Sequence, residues 1–256
     1  MNVNYITVIP AYQTNLTENE RYALLQLRRL RLENPTLVCP NHLDITQYEL
    51  LLPDLRVERF DAVHFSSLAQ YSRFVASPLF YQRFIVQYEW MLMHQLDAFL
   101  LENTVQFFTS LGYDYFGAPW KMGFENPLFL LNRPILKNFF SRIHVGNGGL
   151  SLRNIPKTLD LLLRKKNHAS HTYFLEDAFF GYWGSRDTSF KSCPIELASN
   201  FAFESDPEYW FHKSRQLPMG IHAYDVWSPD FYAPLIKSHH DLIDAEFPQK
   251  TSNRIG

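Results

Sequence analysis

The sequence predicts an α/β protein built on one mostly parallel central sheet with helices on both faces. Three observations predict it. Short β-branched or apolar runs alternate with stretches of helical periodicity through the first half of the chain. The 256 residues are 46% hydrophobic, enough for one large domain with a full core. The apolar run Glu89-Trp90-Met91-Leu92-Met93-His94-Gln95-Leu96-Asp97 ends in a carboxylate, and open α/β sheets bind ligands at the carboxyl edge of their strands.

Residues 6–9 are β-branched and closed by Pro10, as a buried strand requires. Thr17 with Glu20 three positions on forms a capping box that opens a helix. Leu24, Leu27, Leu30 and Leu32 supply its apolar stripe, and Asn34-Pro35 stops it. Residues 36–40 predict a second strand, residues 49–52 the end of another helix before Pro53, and residues 56–60 a third strand. Two helices over 68–76 and 79–84 are split at Ser77-Pro78, with Pro78 suited to a first helical turn. The strand ending at Asp97 follows, then a helix over 101–111 stopped by Gly112, and a strand over 113–117.

The second half is less regular. Residues 117–142 carry scattered Pro, Gly and Asn and predict loops. A short strand is expected over 150–152, an amphipathic helix over 155–166, a helix over 176–183 stopped by Gly184, and a late strand over 201–204. Residues 1–247 are expected to form one domain, with a polar C-terminal tail over 248–256.

Composition excludes several classes. A net charge of −2 gives no pull toward a nucleic acid polymer. No segment approaches the length of a membrane-spanning helix. Cys39 and Cys193 lie far apart, and the first residues have neither a basic start nor a long apolar stretch. These features predict free thiols and a cytoplasmic protein. The basic run Arg28-Arg29-Leu30-Arg31 allows at most peripheral contact with the inner membrane face. The 22 Phe and 14 Tyr fit either a well-packed core or sugar-stacking surfaces, and core is the preferred reading for most of them.

An acid at a sheet edge can hold a divalent cation, and the cation a phosphate. Three later segments are candidates to meet Asp97: Gly146-Asn147-Gly148-Gly149, Glu176-Asp177 and His222. Together they suggest an enzyme that handles a nucleotide-activated sugar. A backbone without Cβ atoms approaches a ligand closely, although the same glycines suit a tight turn into the strand at Leu150. Acids at a helix start are favoured by the helix dipole in any case.

Five segments carry a resemblance by their order and spacing: Tyr81 with Tyr88-Glu89-Trp90 through Gln95-Leu96-Asp97-Ala98-Phe99; Gly112-Tyr113-Asp114-Tyr115-Phe116-Gly117-Ala118-Pro119-Trp120; Val145-Gly146-Asn147-Gly148-Gly149-Leu150-Ser151-Leu152-Arg153; Glu176-Asp177-Ala178-Phe179-Phe180; and Pro218-Met219-Gly220-Ile221-His222-Ala223. The sequence resembles the DUF5672 family, which is similar to glycosyltransferases of the GT-A fold. The resemblance spans roughly residues 6–227.

It implies a single GT-A-like domain, a nucleotide-binding half followed by an acceptor-binding half. It implies transfer of a hexose-like sugar from a nucleotide-sugar donor, a UDP-sugar being favoured, to a hydroxyl of an oligosaccharide or lipid-linked glycan acceptor in polysaccharide biosynthesis. Asp97 stands at the last acid of an Asp-x-Asp motif, where it would bind Mn²⁺ or Mg²⁺; Gln95 replaces the first acid and is left with hydrogen bonding to a ribose. His222 would complete the metal shell. Asp177 would be the general base of an inverting reaction, with Glu176 orienting donor or acceptor. A purely sugar-binding role for this acid pair would open a retaining outcome.

Pro10 and Tyr12 would flank the nucleotide base, Arg73 would face the diphosphate, and Gly148 and Gly149 would contact the donor sugar. Arg153 is a further candidate phosphate partner, and Trp120 a platform for the acceptor. The alternative is a non-catalytic nucleotide-sugar or carbohydrate-binding relative, which the loss of the first acid at Gln95 favours. A nucleotidyltransferase ranks below both, because Pro10-Ala11-Tyr12-Gln13-Thr14 lacks a Gly- and Lys-rich loop after the first strand.

Overall fold

The alternation of the first half builds the main sheet. Strands β1 (Tyr5–Pro10), β2 (Pro35–Pro40), β3 (Arg56–Phe60) and β4 (Trp90–His94) all run parallel. They are joined through helices α1 (Glu18–Arg29), α2 (Thr46–Leu51), α3 (Leu68–Val75) and α4 (Pro78–Gln82). A 3₁₀ turn (Ala62–Phe65) lies between β3 and α3. The computed structural model describes residues 3–124, 143–165 and 175–248.

Every residue of β1 and of β4 is buried, which is why both read as unbroken apolar runs rather than alternating ones. The Thr17 capping box is formed in both directions, closing two backbone donors that a helix start leaves open. Pro78 occupies the first turn of α4, where its missing N–H is not needed.

The chain then adds β5 (Ala98–Leu100), α5 (Val105–Thr109), β6 (Tyr115–Phe116), β7 (Ala118–Phe124), β8 (Ile143–Gly146), β9 (Leu150–Asn154) and α6 (Ile155–Arg164). The last described elements are α7 (Glu176–Gly184), α8 (Ile195–Phe201), β10 (Ala202–Phe203), α9 (Pro207–Ser214), β11 (Gly220–His222) and α10 (Pro229–Glu246). The main sheet has six strands in the order β3-β2-β1-β4-β9-β6, with β9 antiparallel to both neighbours. A second sheet has the order β10-β11-β5, and β7 pairs with β8 in a bulged hairpin. The expected mixed α/β architecture, with its mostly parallel central sheet, is the one observed.

Aromatic side chains fill the core, as their number predicts. Phe80 is fully buried and meets Phe74, Tyr81 and Phe84 edge to face. Truncating a phenylalanine of this kind costs about 3–5 kcal/mol. Cys39 and Cys193 are both buried free thiols.

Several expectations need correction. The strand over 89–97 ends at His94, and Asp97 sits in the turn that follows. Residues 101–111 are not one helix; only Val105–Thr109 is helical, and the Leu101 and Glu102 N–H groups donate to Met219 O at 2.8 and 3.2 Å beside the pairing of β5 with β11. The strand expected over 113–117 is the two-residue β6. The stretch expected as loop starts as strand β7, and its remainder, 125–142, lies outside the described residues.

The polar tail from residue 249 also lies outside the described residues. Within the basic run, Arg28 packs over the Phe247 ring and Arg29 pairs with Glu246 at 3.6 Å, while Arg28 and Arg31 remain exposed. Among the described residues, no helix is long and apolar enough to cross a membrane.

Candidate active site

The site forms where the chain passes from one sheet to the other. It leaves the main sheet at His94, turns through Gln95 and Asp97 with Ala98 N–H donating to Gln95 O at 3.0 Å, and enters the second sheet as β5. Antiparallel pairing of β5 with β11 sets His222 opposite Ala98, and Ala223 N–H donates to Asp97 O at 3.0 Å. This register carries His222 to Asp97: Nε2 lies 3.2 Å from Asp97 Oδ1. On its other side, Nδ1–H donates to Glu204 Oε1 at 2.9 Å.

Burial opposes a charge on His222, yet the two carboxylates outweigh it and pull the imidazole up to about 10. Burial likewise opposes the charge of Asp97, and His222 holds its carboxyl below the usual range despite that.

The glycine turn makes room for side chains of the site. A Cβ on Gly149 would overlap His222 Nε2, one on Gly148 would overlap Glu176 Oε1, and one on Gly146 would overlap the Trp120 indole. The turn also uses its own donors: Asn147, at φ 101°, accepts from Gly149 N–H at 2.9 Å and Leu150 N–H at 3.1 Å through Oδ1. Gly149 O accepts from Gln95 N–H at 2.8 Å, tying the turn to the sheet edge. The Gly149 N–H expected to meet a ligand is therefore engaged within the protein.

At the start of α7 the two acids take different environments. Glu176 is buried and accepts from Ser72 Oγ at 2.7 Å, while its own N–H donates to Ser72 Oγ at 3.1 Å. Its Oε1 lies 3.7 Å from the Arg153 guanidinium, which is fully buried and also donates to Tyr81 and Ser151. Arg153 thus supports Glu176 from inside, and the expectation that it meets a phosphate is corrected by that burial. Asp177 is half-buried and accepts from Ala178 N–H at 2.7 Å. Burial first, and the neighbouring Glu176 charge second, push its carboxyl up to about 7. That value leaves it divided between acid and base near neutrality.

A cleft of about 570 Å³ opens at Asp97 and is lined by Pro10, Tyr12, Tyr71, Gln95 and Asp97 among others, whereas Glu176, Asp177 and His222 are not among its lining residues. Four residues expected to meet the donor therefore share one wall. Tyr12 is 67% exposed, Gln95 donates to Tyr71 Oη at 3.3 Å, and the Asp97 side chain is half exposed. Arg73, on α3, is not among the residues lining this cleft, and its Nε is buried without a hydrogen-bond partner.

Two ligands of one six-coordinate cation stand about 3 Å apart, and the 3.2 Å between Asp97 Oδ1 and His222 Nε2 matches that spacing. His222 Nε2 is buried and lacks an aligned hydrogen-bond partner. The pair fits a divalent cation, although among the described residues no group of three His, Cys, Asp or Glu side chains forms a complete cation site. Glu204 was missed by sequence reasoning, because a lone acid after a two-residue strand gives no local signal.

Comparison with curated proteins finds no match. Among solved structures, the fold is similar to mouse xyloside xylosyltransferase 1 in its apo form, with TM-score 0.53 and 13% identity over 86% of this chain and 97% of that one. It is similar to core-mannan synthase A from Aspergillus fumigatus in a Mn/GDP form, with TM-score 0.51 and 9% identity over 69% and 68%. It is also similar to the galactosyltransferase LgtC in complex with donor and acceptor sugar analogs, with TM-score 0.50 and 13% identity over 91% and 95%. These neighbours are glycosyltransferases of the GT-A fold, and this chain shares that fold. The DUF5672 family model, described as a protein of unknown function, matches residues 54–222, so the chain belongs to the DUF5672 family.

Proposed function

We propose that the protein is a glycosyltransferase that moves a sugar from a nucleotide-sugar donor, a UDP-sugar by preference, to a glycan hydroxyl with inversion at the anomeric carbon. The observation that carries this reading is the meeting of Asp97 and His222, distant in sequence, at 3.2 Å beside the cleft. The fold shared with glycosyltransferases supports the reaction class, although fold alone does not fix chemistry.

In this reading Tyr12 and Pro10 line the pocket of the base and Gln95 that of the ribose. Asp97 and His222 hold Mn²⁺ or Mg²⁺, which when bound offsets negative charge on the departing diphosphate. Asp177 takes the proton of the acceptor hydroxyl as its oxygen attacks the anomeric carbon. The bond from that carbon to the diphosphate oxygen breaks, and its electron pair leaves with the nucleotide. Glu176, held by Ser72 and Arg153, keeps Asp177 less acidic and positions the start of α7. Trp120 offers the acceptor an aromatic face.

The test is release of nucleoside diphosphate from a panel of UDP- and GDP-sugars with Mn²⁺ or Mg²⁺, with and without oligosaccharide acceptors. The expected result is release from one donor class, dependent on Asp177. GDP-sugars belong in the panel because one structural neighbour is a Mn/GDP form. Nucleotide binding without release from any donor would replace this reading with the non-catalytic one that Gln95 favours.

A further inference from the structure

We propose that Glu204 is a positioning residue that fixes the ring of His222 and anchors Trp120 through the two oxygens of one carboxylate; the cation part of this inference rests on the function proposed above. Parallel pairing of β10 with β11 sets Ala202 beside Gly220 and Phe203 beside Ile221. The next position in that register brings Glu204 beside His222. Oε1 accepts from His222 Nδ1–H at 2.9 Å, and Oε2 accepts from Trp120 Nε1–H at 3.0 Å. The carboxylate is mostly shielded, at 17% side-chain exposure, so neither bond is readily replaced by water.

The chemistry of the three groups makes the arrangement specific. An indole N–H can only donate, and a carboxylate can only accept. With both oxygens occupied by donors, Nδ1 carries a proton, and a cation on the Asp97 side would take Nε2 in place of its proton. A carboxylate that orients a metal-binding histidine in this way raises metal affinity, and its loss typically costs about 10- to 100-fold. The same carboxylate joins the expected acceptor wall at Trp120 to the cation ligands.

A glutamine at 204 cannot serve both partners. If its oxygen takes the Trp120 N–H, its amide nitrogen faces Nδ1 and demands an acceptor there, which strips Nδ1 of its proton and keeps a proton on Nε2, where a cation would bind. If its oxygen takes Nδ1–H, two donors collide at Trp120. Removing the indole N–H resolves the conflict, so Trp120→Phe should rescue Glu204→Gln.

The experiment measures Mn²⁺ binding by electron paramagnetic resonance with UDP present, and the His222 ring-proton resonances by NMR of the metal-free protein. It compares the wild type with Glu204→Gln, Trp120→Phe and the double variant. The expected results are a loss of Mn²⁺ affinity of about 10- to 100-fold in Glu204→Gln, with loss of the downfield Nδ1–H resonance. Trp120→Phe alone should keep both, and the double variant should return to within about threefold of the wild-type affinity. Wild-type affinity with an unchanged resonance in Glu204→Gln would overturn the proposal, and so would a double variant no better than Glu204→Gln. A wild type that binds no Mn²⁺ but shows the Glu204-dependent resonance would contradict the cation reading and uphold the positioning role.

Discussion

The two sides of the site hold their polar groups by different means. On the cleft side, Tyr12 and Asp97 are presented by the ends of parallel strands and remain substantially exposed. Outside the cleft lining, Glu176, Arg153, Glu204 and Trp120 are each bound to another side chain, and Arg153 and Glu176 are buried. The turns that leave β1 and β4 position the first set, so substitutions there should change ligand affinity and little else. Side-chain partners position the second set, so substitutions there should strike stability and activity together.

Asp177 should show the largest effect. Its replacement by Asn should lower kcat by about 10²- to 10⁴-fold with donor affinity kept, measured by steady-state transfer and nucleotide titration. In the wild type, activity should fall as pH drops through about 7, where the Asp177 carboxylate takes up its proton. The same shift has a stability consequence. A carboxyl raised in the folded state costs nothing below its ordinary titration range and its full penalty above its folded value. Asp177→Asn should therefore melt higher than wild type at alkaline pH and gain nothing below about pH 3. A variant that keeps near-wild-type turnover would remove Asp177 from the chemistry.

Arg153→Ala comes next. It strips the buried Glu176 of its cation and leaves Tyr81 and Ser151 without their donor. Breaking a buried pair of this kind costs about 3–5 kcal/mol, readable as a lowered urea midpoint. A cost below about 1 kcal/mol would place the pair among surface bridges and erase the contrast between the two sides.

Gly149→Ala should act more narrowly. The added methyl would overlap His222 Nε2, so cation-dependent nucleotide binding should weaken by about tenfold or more. Calorimetric titration with and without Mn²⁺ reads that loss. Tyr12→Ala should be the mildest: loss of one aromatic contact worth about 0.5–1.5 kcal/mol gives roughly three- to tenfold weaker nucleotide binding. Its exposure predicts an unchanged melting temperature, and a large drop would show that Tyr12 is a packing residue.

The contrast also explains what could be seen in the sequence. The first half was legible because its signals are local: a β-branched run before Pro10, the Thr17–Glu20 capping box, and Pro78 opening α4. Long-range pairing erased such signals elsewhere. The helix expected over 101–111 shrinks to Val105–Thr109, because the Leu101 and Glu102 N–H groups donate to Met219 O instead. α10, eighteen residues long, escaped notice because Pro234 interrupts its pattern, although Ser228-Pro229 marks its start.

Asp97 was singled out as an acid closing an apolar run, and Asp177 and His222 were singled out through motif order. The links that hold them, Glu204 to Trp120 and Arg153 to Glu176, join residues too distant in sequence for any local pattern. The glycine turn carried only half of its meaning in the sequence. Its missing Cβ atoms do mark a close approach, but what approaches is His222, Glu176 and Trp120.

The central claim is that Asp97 and His222 together bind a cation that holds a nucleoside diphosphate at the cleft. Calorimetric titration of UDP and GDP, with and without Mn²⁺, into the wild type, Asp97→Ala and His222→Ala tests it most directly. The account predicts binding of one nucleotide that needs Mn²⁺ in the wild type and is lost in both variants. Equal binding in all three proteins, with or without the cation, would contradict it.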